Sequence, residues 1–428
     1  MTPDAILSAI RASLAGPLQN AHLDQFRPEA RLNEDLYIDS ILLLNLLLEL
    51  ELSYGLTVPD DLVSTRAVET VADVVALFDP APTPPPASTD PTGSVHGEEY
   101  WDLKIHCFVS CVCDALKRQK IDHRPFYFGV WDADFTISES WALQYHAPGL
   151  RHDFFRTWFE RLYGAAVREW YDHRADKAAN RAVLLDLVAT QAGDHSIMVM
   201  VDLFHLPERE NKFNQNPFPH YLMLAPAADP AVFSVSDPDF RWEGEIARDK
   251  ILTAFSQPSV AGGFIFDRRA LHAAAARDVK AFFEACFLKS RNPLTEAIRR
   301  IVTAHLAGDP AFPPTALAAA LREIPVLSIR KYAYEHGFAF FWRALVWPDP
   351  SFLQRCDEIE ALFQGFKALH FAILRLSQTG ETGLTSDIFS RLDALDRMEF
   401  ALKRELDTAF QAWCALVAPA LAPVEGVV

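Results

Sequence analysis

The sequence LYIDSILLL at residues 36–44 decides how the first part of the chain folds. Its two polar residues, Asp39 and Ser40, stand where a loop-like segment changes to an apolar run. Either side chain can accept a hydrogen bond from the free N–H groups of a first helical turn, and an aspartate there also complements the positive end of the helix dipole. We therefore expect a helix to begin at this pair and to expose Ser40 at its tip.

Such a pair is most often the ordinary cap of a core helix. The surrounding sequence favours a functional role for Ser40 instead. Helix-period sequence precedes the pair at residues 5–14, and an amphipathic segment at residues 68–78 follows the acidic helix. In this order and spacing, residues 1–79 resemble an acyl carrier protein, with Ile41 where that family most often has leucine.

The resemblance implies an all-α, four-helix domain over residues 1–79, in which Ser40 carries a covalent 4′-phosphopantetheine arm. It also implies two kinds of partner: a phosphopantetheinyl transferase that installs the arm, and an acyl-loading enzyme or partner carrier protein that supplies the acyl group. A plain helix cap stays open as the alternative role of Ser40.

Length and composition bound the architecture. At 428 residues the chain is too long for one ordinary core, and 50% hydrophobic with 12% aromatic residues can fill two or three. No apolar run is long enough to cross a membrane, and no apolar signal segment precedes the first helix. With six unevenly spaced cysteines, we expect free thiols and a cytoplasmic protein without membrane association.

The net charge of −17 is unevenly distributed. Residues 1–79 hold 13 Asp and Glu against 4 Arg and no Lys, so −9 of the charge lies in under a fifth of the chain. An acidic surface repels nucleic acid and favours docking onto basic patches of enzymes. We therefore expect protein partners and no nucleic acid.

A linker is predicted at residues 80–97, with the sequence PAPTPPPASTDPTGSVHG. It lacks the large apolar side chains that a core needs, and consecutive prolines favour extended polyproline II. As a tether it would raise the effective concentration of the carrier-like unit near the following domain. A passive spacer is equally compatible with this composition.

The second predicted unit covers residues 98–267, and Cys107 is its first candidate for chemistry. From Phe108 onward apolar residues recur with helical spacing, and basic residues end the segment. Cys107 therefore lies at or next to a helix N-terminus, where the dipole and open N–H groups favour a thiolate. We expect it to be a nucleophile.

Two other roles compete for these cysteines. A metal site would need Cys107, Cys111 and Cys113 as ligands, but their spacing fits no common zinc knuckle and no second Cys/His pair answers it. Buried structural thiols are the stronger alternative, because free cysteine is among the most buried residue types. We accept that alternative for Cys111 and Cys113 only.

Partners for Cys107 are predicted on a hairpin. Residues 196–207 have the pattern of a buried strand, and two further strands flank the turn at residues 226–231. If the hairpin closes symmetrically, Ala225 pairs with Val232 and His220 lies opposite Asp237, where a carboxylate can orient an imidazole. A one-residue slip would separate them. Cysteine, histidine and aspartate together can attack, shuttle a proton and hold the ring tautomer.

The same region resembles the butirosin biosynthesis protein H family, acyltransferases with a papain-like core. The resemblance covers about residues 98–260 and rests on matching segments in the same order: His106-Cys107, FGVW at 128–131, VDLFHLP at 201–207, PHY at 219–221 and SDP at 236–238. It implies transfer of an acyl group from a carrier thioester to an amine, with Cys107 as nucleophile, His220 as base and Asp237 as orienting acid. A glycine-rich loop typical of the family is replaced here by residues 130–135, VWDADF, so the acyl pocket should differ.

Other polar residues have open roles. The backbone N–H of Cys107 is the default oxyanion donor. A second oxyanion donor should come from a side chain. The candidates are residues that precede Cys107 and the four amides Asn211, Asn214, Gln215 and Asn216, and the sequence does not choose among them. Asp132 and Asp134 could meet an amine acceptor, although solvated loop carboxylates are the commoner case.

Residues 268–428 are predicted to form a helical C-terminal lobe. Its expected helices are 270–288, 294–306, 314–322, 329–346, 351–378 and 386–416, the last with at most one break. An aromatic segment at 332–343 could line a pocket, but a packed helical core is favoured over that role.

The fold class expected is multidomain: the carrier domain, then an α+β papain-like domain with an antiparallel sheet, then the helical lobe. The function expected is acyl transfer from a phosphopantetheine thioester, through acyl-Cys107, to an amine or hydroxyl of a small-molecule acceptor in natural-product biosynthesis. A thioesterase that releases the chain to water and a non-catalytic carrier-docking protein are the two alternatives. The sequence names neither the acyl chain nor the acceptor.

Overall fold

A computed structural model gives the structure of the protein. It describes residues 1–20, 22–33, 35–38, 40–56, 68–78, 105–133, 135–147, 150, 152–191, 193–209, 216–381 and 383–421. The side chains of Ser40 and Ile41 are not among the described features. The predicted linker at 80–97 lies outside the described residues, as do Asp39, Asp134, Asn211, Asn214 and Gln215.

The N-terminal unit is built from helices around its own core. They are α1 (Pro3–Ala15), α2 (Ser40–Tyr54) and α3 (Val71–Ala76), with a 3-10 turn at Leu23–Gln25. The start of α2 at Ser40 is where the sequence places it, and Thr70 caps α3 in a capping box with Asp73. Four helices are predicted for this unit, and three of them lie in the described residues. Residues 57–67, between α2 and α3, lie outside the described residues.

A six-stranded antiparallel sheet forms the centre of the second unit. Its strands in spatial order are β3 (Arg168–Glu169), β8 (Gly263–Asp267), β4 (His195–Asp202), β5 (Pro219–Pro226), β6 (Val232–Asp237) and β7 (Trp242–Ala247). A separate two-stranded pair joins β1 (Thr136–Ile137) and β2 (Leu143–Gln144). The strand expected at 196–207 ends at Asp202 and continues as a 3-10 turn, Leu203–His205.

The predicted hairpin exists, but its predicted register is wrong. Ala225 pairs with Ser234, and Pro226 pairs with Phe233, so the ladder is shifted by two residues from the symmetric closure. Because strand side chains alternate with a period of two, this shift keeps His220 and Asp237 on the same face, as diagonal neighbours. A shift of one residue would have put them on opposite faces.

Helices cover the sheet and place the first cysteine of the unit. They are α4 (Cys107–Arg118), α5 (Asp153–Tyr163), α6 (Lys177–Gln191) and α7 (Arg248–Phe255), with a 3-10 turn at Arg124–Gly129. The face of the sheet that carries Met198, Met200 and Tyr221 joins the core that contains α4. This packing holds α4 against β5, where Cys111 Sγ lies 3.6 Å from the carbonyl oxygen of Tyr221.

The C-terminal lobe is helical, as predicted. Its α-helices are α8 (Ala276–Cys286), α9 (Pro293–Leu306), α10 (Leu317–Ala320), α11 (Ile324–Ser328), α12 (Ala333–Leu345), α13 (Asp349–Thr379) and α14 (Leu384–Leu421). Residues 271–275 are not helical, and the expected helix at 314–322 is split between a 3-10 turn and the short α10. The aromatic segment of α12 packs inward, for example Trp131 against Tyr334 with ring centroids 4.7 Å apart.

A buried ion network joins the lobe to the second unit. The Lys331 ammonium donates to Asp132 Oδ1 at 3.0 Å and to Glu399 Oε1 at 2.6 Å, and Lys403 donates to Asp132 Oδ2 at 2.8 Å. Both ammonium groups are almost fully buried. Asp132 therefore neither sits in solvent nor waits for an acceptor amine, and both interpretations offered by the sequence are wrong for this residue.

The N-terminal unit also packs on the C-terminal lobe. Phe371 and Leu374 of α13 are buried in the hydrophobic core of the N-terminal unit. Next to them, Arg375 forms a salt bridge of 2.8 Å with Glu51 of α2. None of the helices in the described part of the chain is long and apolar enough to cross a membrane.

The buried network gives a prediction for stability. Lys331→Met should lower the free energy of unfolding by about 3–5 kcal/mol, because it leaves buried carboxylates without their cation. The matched control is Lys289→Met, which removes an ion pair to Asp407 whose lysine side chain is 64% exposed and should cost at most about 1 kcal/mol. Urea unfolding at neutral pH measures both. Equal losses in the two variants would contradict a structural role for the network.

Candidate active site

Cys107 is the first residue of α4 and is half-buried. The preceding His106 caps the helix, its Nδ1 accepting from the backbone N–H of Val109 at 3.4 Å. An uncapped N–H group in the first turn and the helix dipole both favour negative charge at this position. The sequence prediction of a cysteine at a helix start is confirmed.

Asp239 holds the chain that leads into α4. Its Oδ1 accepts hydrogen bonds from the backbone N–H groups of Ile105 at 3.1 Å and His106 at 3.2 Å, and from Ser110 Oγ at 2.7 Å. The carboxyl is buried, which raises its pKa, while the nearby His220 acts in the opposite direction. Asp239 thus fixes the position of Cys107 relative to the sheet. The sequence analysis missed it, although it stands two residues after Asp237 in the segment already singled out.

His220 and Asp237 meet as the sequence analysis expected. His220 Nε2 lies 2.9 Å from Asp237 Oδ1, and both side chains are buried. The other ring nitrogen, Nδ1, is then left for Cys107, which lines the same cavity as His220 and raises the pKa of its ring. The structure therefore brings all three predicted side chains together, and their catalytic role stays a prediction.

Arg209 completes this arrangement and was missed by the sequence analysis. Its Nη2 and Nε donate to Asp237 Oδ2 at 2.8 and 3.2 Å, so the carboxylate uses one oxygen for arginine and the other for histidine. The guanidinium stacks over Trp242, with 4.4 Å from Cζ to the ring centroid. The arginine lies 28 residues from its partner, in a segment without strand or helix periodicity, so no local signal marks it.

Burial and charge set the protonation states. Burial alone would lower the pKa of His220, but Asp237 and Cys107 raise it to about 10. For Asp237 burial acts to raise the pKa, and His220 and Arg209 outweigh it, so the pKa lies below its usual range. At neutral pH His220 is therefore an imidazolium between a carboxylate and the Cys107 sulfur.

A cavity of about 50 Å³ opens onto Cys107 and His220. It is much smaller than the roughly 300–1,000 Å³ of typical small-molecule sites, so in this state it fits only the reacting end of a substrate. Phe218 and Phe240 line it from the sheet side, and Val326 with Ile329 line it from the C-terminal lobe. Both halves of the protein therefore shape the space around the sulfur.

The cavity contains side-chain donors other than those the sequence analysis considered. Tyr145 and Arg330 line it, and burial raises the pKa of the Tyr145 phenol, which keeps it a hydrogen donor. Four amides were candidates for the oxyanion donor, and of these only Asn216 lies within the described residues. It is exposed and does not line the cavity. The backbone N–H of Cys107 stays the default donor.

The alternative roles of the cysteines can be compared with the structure. All six cysteines are free, and Cys111 and Cys113 are buried. Burial raises the pKa of both thiols well above the usual value, so neither forms a thiolate at neutral pH. Among the described residues, no group of three His, Cys, Asp or Glu side chains could hold a metal ion.

The surroundings of Ser40 are compatible with a phosphopantetheine arm. A cleft of about 320 Å³ is lined by Tyr37, Ile38 and Leu42, which flank the start of α2, and on its other side by residues of the 203–209 segment. This volume lies at the lower end of the range for small-molecule sites. An arm at the start of α2 would therefore have space beside it, with apolar side chains for its alkyl parts.

Two family models match the chain between residues 102 and 423. Residues 102–271 match the model described as the DUF6005 N-terminal domain, and residues 277–423 match the DUF6005 C-terminal domain. The first match contains Cys107, His220 and Asp237, and the second contains the helical lobe that lines the cavity.

Two relatives from Bacillus anthracis are similar to different parts of the chain. A protein named petrobactin synthase is 39% identical over 312 residues, which are 73% of this chain and 95% of that protein. A protein named acyl carrier protein AsbD is 31% identical over 79 residues, which are 18% of this chain, in its N-terminal region, and 87% of that protein.

His220 of the site and His370 of α13 are expected to titrate far from the usual histidine pKa, in opposite directions. His220 should stay protonated to about pH 10, whereas burial lowers the pKa of His370 to about 4, so His370 should be neutral at pH 6 to 8. Carbon-13 histidine NMR measures both rings, with His220→Gln and His370→Gln to assign the signals. Because the folded pKa of His220 is raised, its contribution to stability is complete below about pH 6.5 and is lost as the pH rises through about 10. Titration of His220 near 6.5 would contradict the geometry.

Proposed function

We propose that this protein is a biosynthetic acyltransferase. The chain belongs to the family defined by the DUF6005 N-terminal and C-terminal domains, and it is similar to a protein named petrobactin synthase. In this proposal the acyl donor is a carrier-bound phosphopantetheine thioester, and the acceptor is an amine or hydroxyl of a small molecule. Cys107 carries the acyl group between them. The observation that carries the proposal is that Cys107, at a helix N-terminus, shares a cavity with His220, whose ring is hydrogen-bonded to Asp237.

The carrier part of the proposal is supported by two independent features. The N-terminal region is similar to a protein named as an acyl carrier protein, and its α2 begins at Ser40. A phosphopantetheine arm would supply an acyl group activated as a thioester and held on a long flexible chain. Residues 1–79 would then be the carrier domain, and 98–267 with 268–428 the transferase.

In the first proposed step, Cys107 attacks the thioester carbonyl carbon as a thiolate that forms an ion pair with the His220 imidazolium. The carbonyl oxygen becomes an oxyanion. The backbone N–H of Cys107 faces this charge. Tyr145 in the same cavity is the side-chain donor, and its hydroxyl turns to the oxyanion from the Pro219 carbonyl oxygen, to which it donates at 3.5 Å. When the tetrahedral species collapses, the bond to the donor sulfur breaks. His220 gives its proton to that leaving thiolate, and Cys107 holds the acyl group as a new thioester.

In the second step, an acceptor amine or hydroxyl attacks acyl-Cys107. His220, now neutral, takes the proton from the attacking nitrogen or oxygen, and the Cys107 thiolate leaves. The products are an amide or ester and the original ion pair. Asp237 keeps His220 in the tautomer that presents Nδ1 to the sulfur, and Arg209 keeps Asp237 ionised.

The likeness to the butirosin biosynthesis protein H family supports transfer over hydrolysis, because acyltransferases of that family use the same order of residues. A papain-like arrangement is part of this proposal. A thioesterase remains the alternative within the same chemistry, since water could replace the acceptor in the second step. A non-catalytic docking protein is the alternative from a different class, and the raised pKa of His220 next to a half-buried thiol argues against it.

The test is the loss of transfer on removal of the sulfur. Cys107→Ala should lower the rate of acyl transfer from the loaded carrier by about a thousandfold or more, because no acyl intermediate can form. Cys286→Ala is the matched control: this thiol is also half-buried, lies outside the cavity and should leave the rate unchanged. Mass spectrometry of the acceptor product gives both rates. Equal rates in the two variants would sink the proposal.

The same assay separates the alternatives. With an amine acceptor present, the acyltransferase forms an amide, whereas a thioesterase gives only the free acid with and without acceptor. A docking protein gives neither product above the background rate of the loaded carrier alone.

A further inference from the structure

The cleft beside Ser40 lies between two parts of the chain that the proposed reaction must connect. One wall consists of Leu14, Leu18 and the residues that flank the start of α2, all from the N-terminal unit. The opposite wall consists of Leu203, Phe204, Leu206, Pro207 and Arg209, all from the segment after β4. Nothing in the relatives or in the family match assigns a role to this cleft.

The segment that forms the second wall belongs to the candidate active site. Arg209 lines the cleft and donates to Asp237, which in turn bonds His220. The backbone N–H of Leu203 donates to the carbonyl oxygen of Phe218 at 2.9 Å, and Phe218 lines the cavity at Cys107. The segment that walls the cleft is therefore hydrogen-bonded to residues at and behind the active-site cavity.

The N-terminal unit is also fixed in this orientation by a second contact. Phe371 and Leu374 of α13 enter its core, and Arg375 pairs with Glu51 near the far end of α2. This contact lies at one end of α2 and the cleft at the other. A helix held at one end against the lobe presents its opposite end, with Ser40, to the 203–209 segment.

We propose that the cleft receives the phosphopantetheine arm of the same chain, so that the carrier unit delivers its acyl group to Cys107 within one molecule. This inference rests on the proposed function and names its donor: the chain's own carrier unit docked on the 203–209 segment. The occupant follows from position, since Ile38 and Leu42 line the cleft two residues before and after the arm-bearing serine. The chemistry of the lining also fits this occupant: apolar walls suit the alkyl segments of the arm, and the polar lining residues Gln19, Asn20 and His22 suit its amides and phosphate.

Phe204 is the cleft residue that we expect the arm to contact. Its side chain is 46% exposed even though it lines the cleft, and its ring contacts His205 rather than the core. A large aromatic side chain left partly exposed at a cleft between two units is available to be covered by a ligand. We therefore expect the arm to cover Phe204.

The test uses an arm that reacts with thiols, so it does not depend on acyl transfer. A phosphopantetheinyl transferase loads the full-length chain with a coenzyme A analogue that carries a chloroacetamide in place of the thiol. The Cys107 sulfur displaces chloride and forms a thioether, and the chain loses the mass of HCl. Peptide mapping should find the Ser40 peptide linked to the Cys107 peptide, and gel electrophoresis should show a monomer.

The rate should be first order and independent of protein concentration. A mixture of loaded Cys107→Ala chain with Ser40→Ala chain can react only between molecules. At micromolar protein it should be slower by roughly a hundredfold or more, because a tether gives an effective concentration in the millimolar range. A rate that rises with protein concentration, or crosslinked dimers as the main product, would overturn delivery within one molecule.

Two variants test the cleft itself. Phe204→Ala should slow the crosslink about tenfold, since it removes the apolar surface that the arm covers. Phe154→Ala removes an aromatic side chain of similar exposure, 43%, outside the cleft, and should leave the rate unchanged. Alkylation of Cys107 by iodoacetamide should be equal in both variants. Equal crosslinking in both variants would overturn the proposed cleft.

The outcomes also separate this inference from the proposed function. If the crosslink forms within one molecule but no acyl group ever reaches an acceptor, the docking stands and the transferase proposal falls. If acyl transfer depends on Cys107 but crosslinking occurs only between molecules, the transferase proposal stands and this inference falls.

Discussion

The candidate site depends on one buried carboxylate, that of Asp237. It is fully buried, and such a charge is tolerated only when it is paired and hydrogen-bonded. Arg209 satisfies one oxygen and His220 the other. This division decides which nitrogen of His220 faces Cys107 and keeps the ring protonated at neutral pH. Without the arginine, the carboxylate would have only the histidine as a charged partner, and its own ionisation would be in question.

The second constraint is that the sulfur must be held over this pair. Asp239 does so from the neighbouring loop, because it binds the two backbone N–H groups that precede α4. Two aspartates separated by one residue thus have different tasks: Asp237 orients the imidazole, and Asp239 positions the helix that starts with Cys107. Val326 and Ile329 of the C-terminal lobe line the cavity, so residues from both matched domains surround the sulfur.

Local sequence patterns predicted the elements that have local causes. The helix starts at Ser40 and Cys107 follow from polar residues before apolar periodicity, and the hairpin follows from strand periodicity around a proline-rich turn. The register was wrong because symmetric closure ignores how the turn itself pairs, as Pro226 does with Phe233. The contact between His220 and Asp237 survived because the error was an even number of residues.

The interactions that the sequence did not predict join distant residues. Asp132 finds its lysine partners 199 and 271 residues further along the chain, so its place in a buried network has no local signature. Arg209 and Asp239 likewise bind groups on other elements. The small cavity and the cleft beside Ser40 depend on how whole units pack, which composition and periodicity do not determine.

The most direct test of this account is to follow the acyl group itself. A chain loaded with an acyl-phosphopantetheine arm is quenched at short times without acceptor, digested and mapped by mass spectrometry. The account predicts that acyl mass leaves the Ser40 peptide and appears on the Cys107 peptide, and that adding acceptor then clears it into product. Acyl groups that pass from Ser40 to the acceptor without ever appearing on Cys107 would contradict it.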